Sequence, residues 1–201
     1  RNTSSQYRNR RHVRIFPDQV SSVIDGIDTV IPSYYYAAGL AGDASSRPAQ
    51  DPLTRNSLNG FSGVVGPRLS NINLDIIAAG NFILHVEREG EIPVVRMQCT
   101  TDADSLENRE LSIVKAIDTF AKTLRSALRD SIGRFNITQD YLDSIGILVG
   151  GVCTNAVAEG LLASAEAVNI KQDAEQRDTL IVDVAIAVLY PANYIKLTIV
   201  V

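Results

Sequence analysis

Few residues that carry enzymatic chemistry occur in this sequence at a productive spacing. Residues 60–64, GFSGV, come within one position of a Gly-x-Ser-x-Gly nucleophile elbow, but Val64 stands where the last glycine should be. The same stretch has no Lys-Ser or Lys-Thr pair for a phosphate cradle, and no Gly-x-Gly-x-x-Gly occurs in the chain. We therefore predict neither a nucleophilic site nor a nucleotide-binding site.

Residue patterns for metal binding and for acid–base catalysis are also lacking in this sequence. The acidic run at 102–107, DADSLE, lacks the glycine and the distal glutamate of a calcium loop, so helix capping explains it better. The two histidines, His12 and His85, fall in separate predicted strands, which disfavours a catalytic triad or a zinc site. We expect His85 on the solvated face of its strand. No cofactor is expected, and an enzyme is the least favoured class of function.

Composition describes an ordinary globular chain. With 201 residues and 45% hydrophobic content, the sequence can bury a substantial core within a single domain over 1–201. Its apolar runs are shorter than the ~18 residues of a membrane span, so no membrane insertion is expected. Cys99 and Cys153 stand far apart in apolar surroundings, and we expect them to be buried free thiols rather than a disulfide.

Charge is unevenly distributed along the chain. The net charge is −4, yet five of the nineteen basic residues fall in the first fourteen positions: Arg1, Arg8, Arg10, Arg11 and Arg14. Nucleic-acid binding is disfavoured because the chain as a whole is acidic and the basic cluster has little aromatic interleaving. We interpret residues 1–10 as a linker or arm, and we expect the chain to be part of a longer polypeptide.

The order of predicted elements indicates an α+β fold, with a mixed or antiparallel sheet flanked by two long helices. Strands are predicted at 11–16, 27–31, 82–86, 92–97 and 180–190, and a further strand is predicted before residue 177. Helices are predicted after Pro32, from Ser70 to Gly80, from about 104 to Gly133, and from Gln139 to about Ala163. Thr138 is the predicted cap of the last helix. Residues 47–66 are rich in Pro, Asn, Ser and Gly and predict a long surface loop, a candidate interaction segment.

The first long helix has two contrasting faces. Apolar residues gather on one side at ~100° per residue, and a basic stripe lies on the other, formed by Lys115, Lys122, Arg125 and Arg129. One interpretation is a solvated face, because Asp118 can pair with Lys115 or Lys122. The other is a ridge that docks on an acidic partner.

The last residues of the sequence predict a β-strand with one strongly apolar face. Apolar residues alternate along the segment Ile195, Lys196, Leu197, Thr198, Ile199, Val200 and Val201. We place this terminal strand at 194–201. Because an exposed strand presents unpaired backbone donors and acceptors, proteins usually cover it. A partner for this strand is therefore expected.

The ordered set of segments resembles the C-terminal half of tail sheath proteins of contractile bacteriophages. No one motif is diagnostic, and the order of the set carries the resemblance. It runs through RRHVRIFPD, PSYYYAAGLAG, PLTRNSLNGFSGV, NLDIIAAGNFIL and TTDADSLENRELSIVKAIDTFAKTLRSALRDSIGRFNIT, and ends at IKLTIVV.

The resemblance implies a structural protein of the virion tail, assembled in the bacterial host cytoplasm. Such a protein stacks in helical rows around a tail tube and contracts to drive the tube through the host envelope. Its partners would be copies of itself and the tail tube protein. In such proteins terminal segments add strands to neighbouring subunits, which would give 195–201 its partner. The resemblance also implies that this domain faces the tube, and we expect the basic stripe to be the surface that contacts it.

Two related functions remain open at this stage. Sheath-like folds also serve in type VI secretion and in other contractile injection systems. A tail terminator or a baseplate component can use the same fold, and it would form closed rings where a sheath forms open helices.

Overall fold

The computed structural model describes residue 9, residues 11–87 and residues 92–199. Apart from Asn9, the predicted arm at 1–10 lies outside the described residues, as do Val200 and Val201 of the predicted terminal strand. The structure divides into two compact units. The first comprises residues 1–114 and 191–201, and the second comprises residues 115–190.

The described part of the first unit contains two small three-stranded sheets with helices beside them. In chain order its elements are β1 (Ile15–Phe16), β2 (Gln19–Ile24), β3 (Ile27–Pro32), α1 (Ser33–Ser46), β4 (Gly63–Val64), α2 (Asn71–Ala79), β5 (Ile83–Val86), β6 (Val94–Met97) and α3 (Leu106–Arg109). One sheet has the order β1-β5-β6, with β1 parallel to β5 and β5 antiparallel to β6. The other has the antiparallel order β3-β2-β4. The predicted α+β class with mixed and antiparallel pairing is thereby confirmed.

The core of the first unit forms where the helix α1 meets both sheets. Its members are apolar side chains that are almost fully buried: Val20, Tyr36, Leu40, Leu53, Leu58, Ile83 and Val95. Tyr36 packs edge-to-face on Phe61, with ring centroids 4.7 Å apart. Two of these core residues, Leu53 and Leu58, come from the predicted surface loop. The segment 47–66 has little regular structure, yet these leucines anchor it in the core.

A buried glutamine ties that segment to the chain around it. Gln98 Oε1 accepts a hydrogen bond from the Leu53 backbone N–H at 2.8 Å, and its Nε2 donates to Ser112 Oγ at 3.0 Å. Gln98 is 1% exposed. Because a buried polar group left unpaired would be destabilising, these two bonds fix the path of the segment through the core.

Helix termini follow local capping chemistry closely. Ser70 Oγ accepts from the Asn73 N–H at the start of α2, which ends at Gly80 as predicted. Ser105 caps α3 by accepting from Asn108 N–H. Such caps are readable in sequence because the donor and the acceptor lie three residues apart.

The long helix predicted from about 104 to Gly133 is broken near its start. After α3, Glu110 adopts an extended backbone and forms an isolated bridge with Cys99. The helix then resumes as α4 (Leu111–Arg129) and stops before Gly133. The break coincides with this bridge, a contact that helical periodicity does not predict.

The second unit contains most of α4, the helix α5 (Gln139–Ala158), and a hairpin of β7 (Ser164–Gln172) and β8 (Leu180–Ala187). Thr138 caps α5 as predicted, accepting from Tyr141 N–H. The helix ends at Ala158 rather than near Ala163, because Gly160 takes a left-handed conformation with φ +68°. The helix α5 contacts β7 within this unit.

The prediction for His85 was wrong. Its side chain is 2% exposed, and its ring lies edge-on to Tyr36 at 4.1 Å. Burial lowers the pKa of His85 to about 4, so the ring is neutral at physiological pH. Period-2 alternation places a residue on one face of a strand, but here tertiary packing of α1 covers that face.

Candidate assembly interface

The described part of the terminal segment is exposed and is not paired with a strand. Residues 195–199 are assigned to no strand in the chain. Three of their apolar side chains are largely in solvent, with Ile195 90% exposed, Leu197 82% and Ile199 77%. A run of alternating apolar side chains in water is unfavourable by the general area rule for apolar burial. The segment therefore has the composition of a strand without a partner inside the described chain.

The root of this segment is held by a buried carboxylate. Asn193 Nδ2 donates to Glu110 Oε1 at 3.0 Å, and Arg109 Nη2 lies 3.5 Å from the same oxygen. Glu110 is fully buried at the break between α3 and α4. Because a buried charge needs hydrogen-bond partners, the bond couples the position of Asn193 to the interior of the first unit. Sequence reasoning missed this pair, since its members lie 83 residues apart.

The β7–β8 hairpin of the second unit is a sheet with two strands among the described residues. Its register runs from Ser164 opposite Ala187 to Gln172 opposite Leu180, with a bulge between Ala167 and Asn169. At the turn, Asp173 Oδ1 accepts from Glu175 N–H at 2.7 Å, which lowers the pKa of Asp173. The sheet is supported by α5, which contacts β7, and packing against a helix stabilises a two-stranded sheet.

The basic stripe lies along α4 as its spacing predicts. Lys122, Arg125 and Arg129 are exposed, whereas Lys115 is half-buried. Lys115 and Asp118 each interact with a neighbouring group, and Arg125 Nε donates to the Ala121 carbonyl at 3.1 Å. The opposite face of the helix carries the buried side chains of Ala116 and Phe120. The helix therefore presents three exposed cations on one side while its other side packs.

An exposed apolar hairpin was missed in the sequence. The strands β2 and β3 are joined by Asp25 and Gly26, both with positive φ, at 51° and 79°. Asp-Gly flanked by β-branched residues is a strong signal for a two-residue hairpin turn, and VIDGID carries it. Only the second strand of the pair was predicted, because QVSSVI alternates weakly.

The groups considered for catalysis are occupied in structural roles. Ser62 Oγ donates a hydrogen bond to Asp28 Oδ1 at 2.6 Å and lies 3.0 Å from Ser21 Oγ. Cys99 and Cys153 are free and buried, as predicted, and burial raises the pKa of Cys99 to about 11. Across the described ranges, no group of three or more potential metal ligands is found.

The helix α5 is long and apolar enough to cross a membrane by length and composition alone. The expectation from sequence considered only uninterrupted apolar runs, which are shorter than this 20-residue helix. A single helix of this kind is weak evidence for a membrane span; 22% of its apolar window is buried within the protein, including Ile145, Val149 and Cys153.

Solved structures share the fold at low sequence identity. A chain in the contracted sheath complex of the extracellular contractile injection system PVC matches with a TM-score of 0.78 and 16% identity, over 98% of this chain and 58% of that one. A chain in the contracted helical sheath of the anti-feeding prophage matches with a TM-score of 0.75 and 17% identity, over 91% of this chain and 54% of that one. A chain in the baseplate structure of the anti-feeding prophage matches with a TM-score of 0.72 and 18% identity, over 90% of this chain and 52% of that one.

No protein-family profile matches the sequence, and no curated protein matches it significantly. The chain spans about half the length of the solved proteins that it matches. Because the sequence identities are below 20%, these matches show the fold alone. The chain has the fold found in sheath proteins of contractile injection systems, and at that level the resemblance seen in its sequence is confirmed.

Proposed function

We propose that this chain is part of a structural subunit of a contractile sheath, which assembles helically around a tail tube and contracts to drive the tube through an envelope. The observation that carries the proposal is the match to contracted sheaths over nearly the whole chain. The exposed apolar terminal segment and the absence of a metal-ligand group in the described residues agree with a structural role.

In this proposal the terminal segment of one copy adds a strand to the β7–β8 sheet of another. The hairpin offers strands of nine and eight residues with free outer edges among the described residues. Added main-chain hydrogen bonds supply affinity, and the alternation of Ile195, Leu197 and Ile199 sets the register. Strand addition thus covers the exposed apolar segment and extends the two-stranded sheet.

A donated strand of this kind makes a head-to-tail contact. Because the donating and accepting surfaces differ, the contact is heterologous, and it generates an open helical array when its rotation does not close a ring. A strand joined to its body through a short connection also keeps neighbours linked while their bodies rotate. Contraction can then proceed without dissociation of the subunits.

We assign the stripe on α4 to the tail tube protein. Lys122, Arg125 and Arg129 are exposed cations on one face, and they suit an acidic partner surface. Contacts between exposed charges are individually weak, about 0–1 kcal/mol. Weak contacts suit a surface that releases the tube during contraction. This function places the protein in a particle tail, either a phage virion or an injection device, after assembly in the host cytoplasm.

A baseplate component is the second candidate. The observation in its favour is the match to a chain in the baseplate structure of the anti-feeding prophage. A baseplate or terminator component would form a closed ring, whereas a sheath subunit continues into an open helix.

Electron microscopy of the complete protein separates the candidates. Tubular particles with a helical lattice are expected for a sheath subunit. Closed rings of fixed diameter would favour the baseplate component. Dispersed particles at every salt and protein concentration would contradict both assignments.

A further inference from the structure

The tip of the β2–β3 hairpin carries exposed β-branched side chains on both of its faces. Val23 is 59% exposed, Ile24 47% and Ile27 68%. Ile24 and Ile27 are cross-strand partners, while Val23 pairs with Asp28 on the opposite face. Single exposed apolar residues are normal on protein surfaces, but the exposed cross-strand pair of Ile24 and Ile27, with Val23 on the other face of the same tip, makes the tip a candidate interaction site.

The same hairpin is acidic. Asp25 occupies the turn and Asp28 follows the tip. From Asp18 to Ser46 the sequence contains no lysine, arginine or histidine. Asp28 accepts a hydrogen bond from Ser62 Oγ but remains exposed. A partner for this tip would therefore combine an apolar surface with a positive charge.

A cavity of about 710 Å³ in the first unit has that combination. Its apolar lining comes from α2, β5 and β6 and the residues near them, and includes Leu69, Leu74, Ala78, Val86, Val94 and Met97. Its volume falls in the ~300–1,000 Å³ range of pockets that bind ligands and side-chain clusters. The tip of the hairpin is not seated there, because its own side chains stay exposed to solvent.

The lining of this cavity includes two cations, Arg55 and Arg96, and two carboxylates, Asp75 and Glu87. Arg96 is bonded to Asp75 at 2.7 Å, and the carboxylate of Glu87 accepts from Val64 N–H at 2.8 Å. Arg55 has no ion-pair partner among the residues that the structure describes. Its backbone is held in the left-handed region, with φ 67°, by a hydrogen bond from its N–H to the Val95 carbonyl at 2.6 Å. A non-glycine residue held there is strained, and such residues concentrate at functional positions.

We propose that the hairpin tip of one copy docks into the Arg55 cavity of a second copy. Val23, Ile24 and Ile27 meet the aliphatic lining, and the carboxylates of Asp25 and Asp28 approach Arg55. The contact is heterologous, so it propagates an open assembly when its rotation does not close a ring. It rests on the proposed sheath function and adds a second contact between copies. Asn193 and Tyr194 also line the cavity, so the cavity adjoins the root of the donated strand.

Cysteine pairs in the complete protein test this contact. Ile27→Cys places a thiol at the hairpin tip, and Asn71→Cys places one at an exposed position that lines the cavity. Under mild oxidation, a mixture of the two variants is expected to form a disulfide-linked dimer that neither variant forms alone. Background from Cys99 and Cys153 is low because both are buried. Phe135→Cys, at a residue with similar exposure, mixed with Asn71→Cys is the control.

Charge variants test the chemistry of the contact. Arg55→Asn removes the cation, and asparagine tolerates the left-handed backbone. It is expected to lower the yield of the mixed dimer by up to about fivefold, the scale of one screened ion pair. Asp25→Asn, which keeps the turn, is also expected to lower the yield of the mixed dimer. Pairing Asp28→Arg on one chain with Arg55→Glu on the other restores the yield.

The outcomes separate this proposal from the proposed function. Helical tubes without the mixed dimer overturn the hairpin contact and leave the sheath assignment standing. A mixed dimer in concentrated solution without tubes supports the contact and contradicts the sheath. A dimer of Ile27→Cys with itself shows a symmetric contact and overturns the proposal, as does the absence of both tubes and dimer.

Discussion

At the scale of single residues, His85 makes the core of the first unit sensitive to acid. Its folded-state pKa of about 4 lies below the ordinary value of 6.5. The unfolded chain therefore binds a proton more readily than the folded protein between these values. Stability is fully present above pH 6.5 and is lost as the pH falls from 6.5 towards 4.

We predict that unfolding free energy falls by about 3 kcal/mol across this interval through His85, since each pKa unit corresponds to about 1.4 kcal/mol. Urea unfolding at pH 7.5 and at pH 4.5 measures it. His85→Leu should reduce the difference between the two pH values by that amount, whereas His12→Gln, at an exposed histidine, should preserve it. An unchanged difference in His85→Leu would show that other groups govern the acid response.

A second residue-scale prediction concerns the root of the terminal segment. Asn193→Ala removes one donor from the buried carboxylate of Glu110, so we expect a loss of about 1–3 kcal/mol in unfolding free energy. Chemical denaturation measures the loss. Tyr194→Ala, at the next and exposed residue, should change stability by less than about 0.5 kcal/mol. Equal effects in the two variants would mean that the Asn193–Glu110 bond carries no stability.

At the scale of elements, the terminal segment is predicted to act as a strand only after assembly. Leu197→Pro removes a backbone N–H and fixes φ, which is incompatible with a paired strand. The variant should fold normally, because the described segment makes no strand pairing within its own chain, and it should form few or no tubes. Leu197→Val keeps strand propensity and should assemble. Normal assembly of the proline variant would contradict strand addition at this position.

The stripe on α4 gives a second prediction at this scale. Reversing Lys122, Arg125 and Arg129 to glutamate should weaken binding to the tail tube protein by about tenfold or more, from three contacts of roughly 0.5 kcal/mol each. Co-sedimentation with the tube protein at low and high salt measures this effect, which should shrink as salt rises. Thr123→Glu, exposed away from the stripe, is the matched control. Equal binding by the triple variant would remove the stripe from the tube contact.

Elements whose signals are local were predictable from the sequence. The caps at Ser70 and Thr138, the stop at Gly80 and the hairpin of β5 and β6 all depend on residues close in the chain. The break at Glu110 and the burial of His85 depend on contacts with Cys99 and with Tyr36, which lie far away in sequence. Of the candidate site, the basic stripe followed from helical spacing, whereas the Asn193–Glu110 bond and the Arg55 cavity required the fold.

At the scale of the whole molecule, the two compact units divide the proposed tasks. The first unit holds the root of the terminal segment, the hairpin tip and the Arg55 cavity, and the second holds the α4 stripe and the β7–β8 sheet. Strand donation would therefore join the first unit of one copy to the second unit of another. A contact between unlike surfaces extends into an open helix when its rotation does not close a ring, and a helical sheath requires such a contact.

Electron microscopy of the complete protein beside a truncation that ends at Asn193 tests the central claim most directly. The truncation leaves the Asn193–Glu110 bond in place and removes the exposed segment that follows it. We predict helical tubes from the complete protein and dispersed, folded particles from the truncation. Tubes of the same lattice from both proteins would contradict the claim that the terminal strand links the subunits.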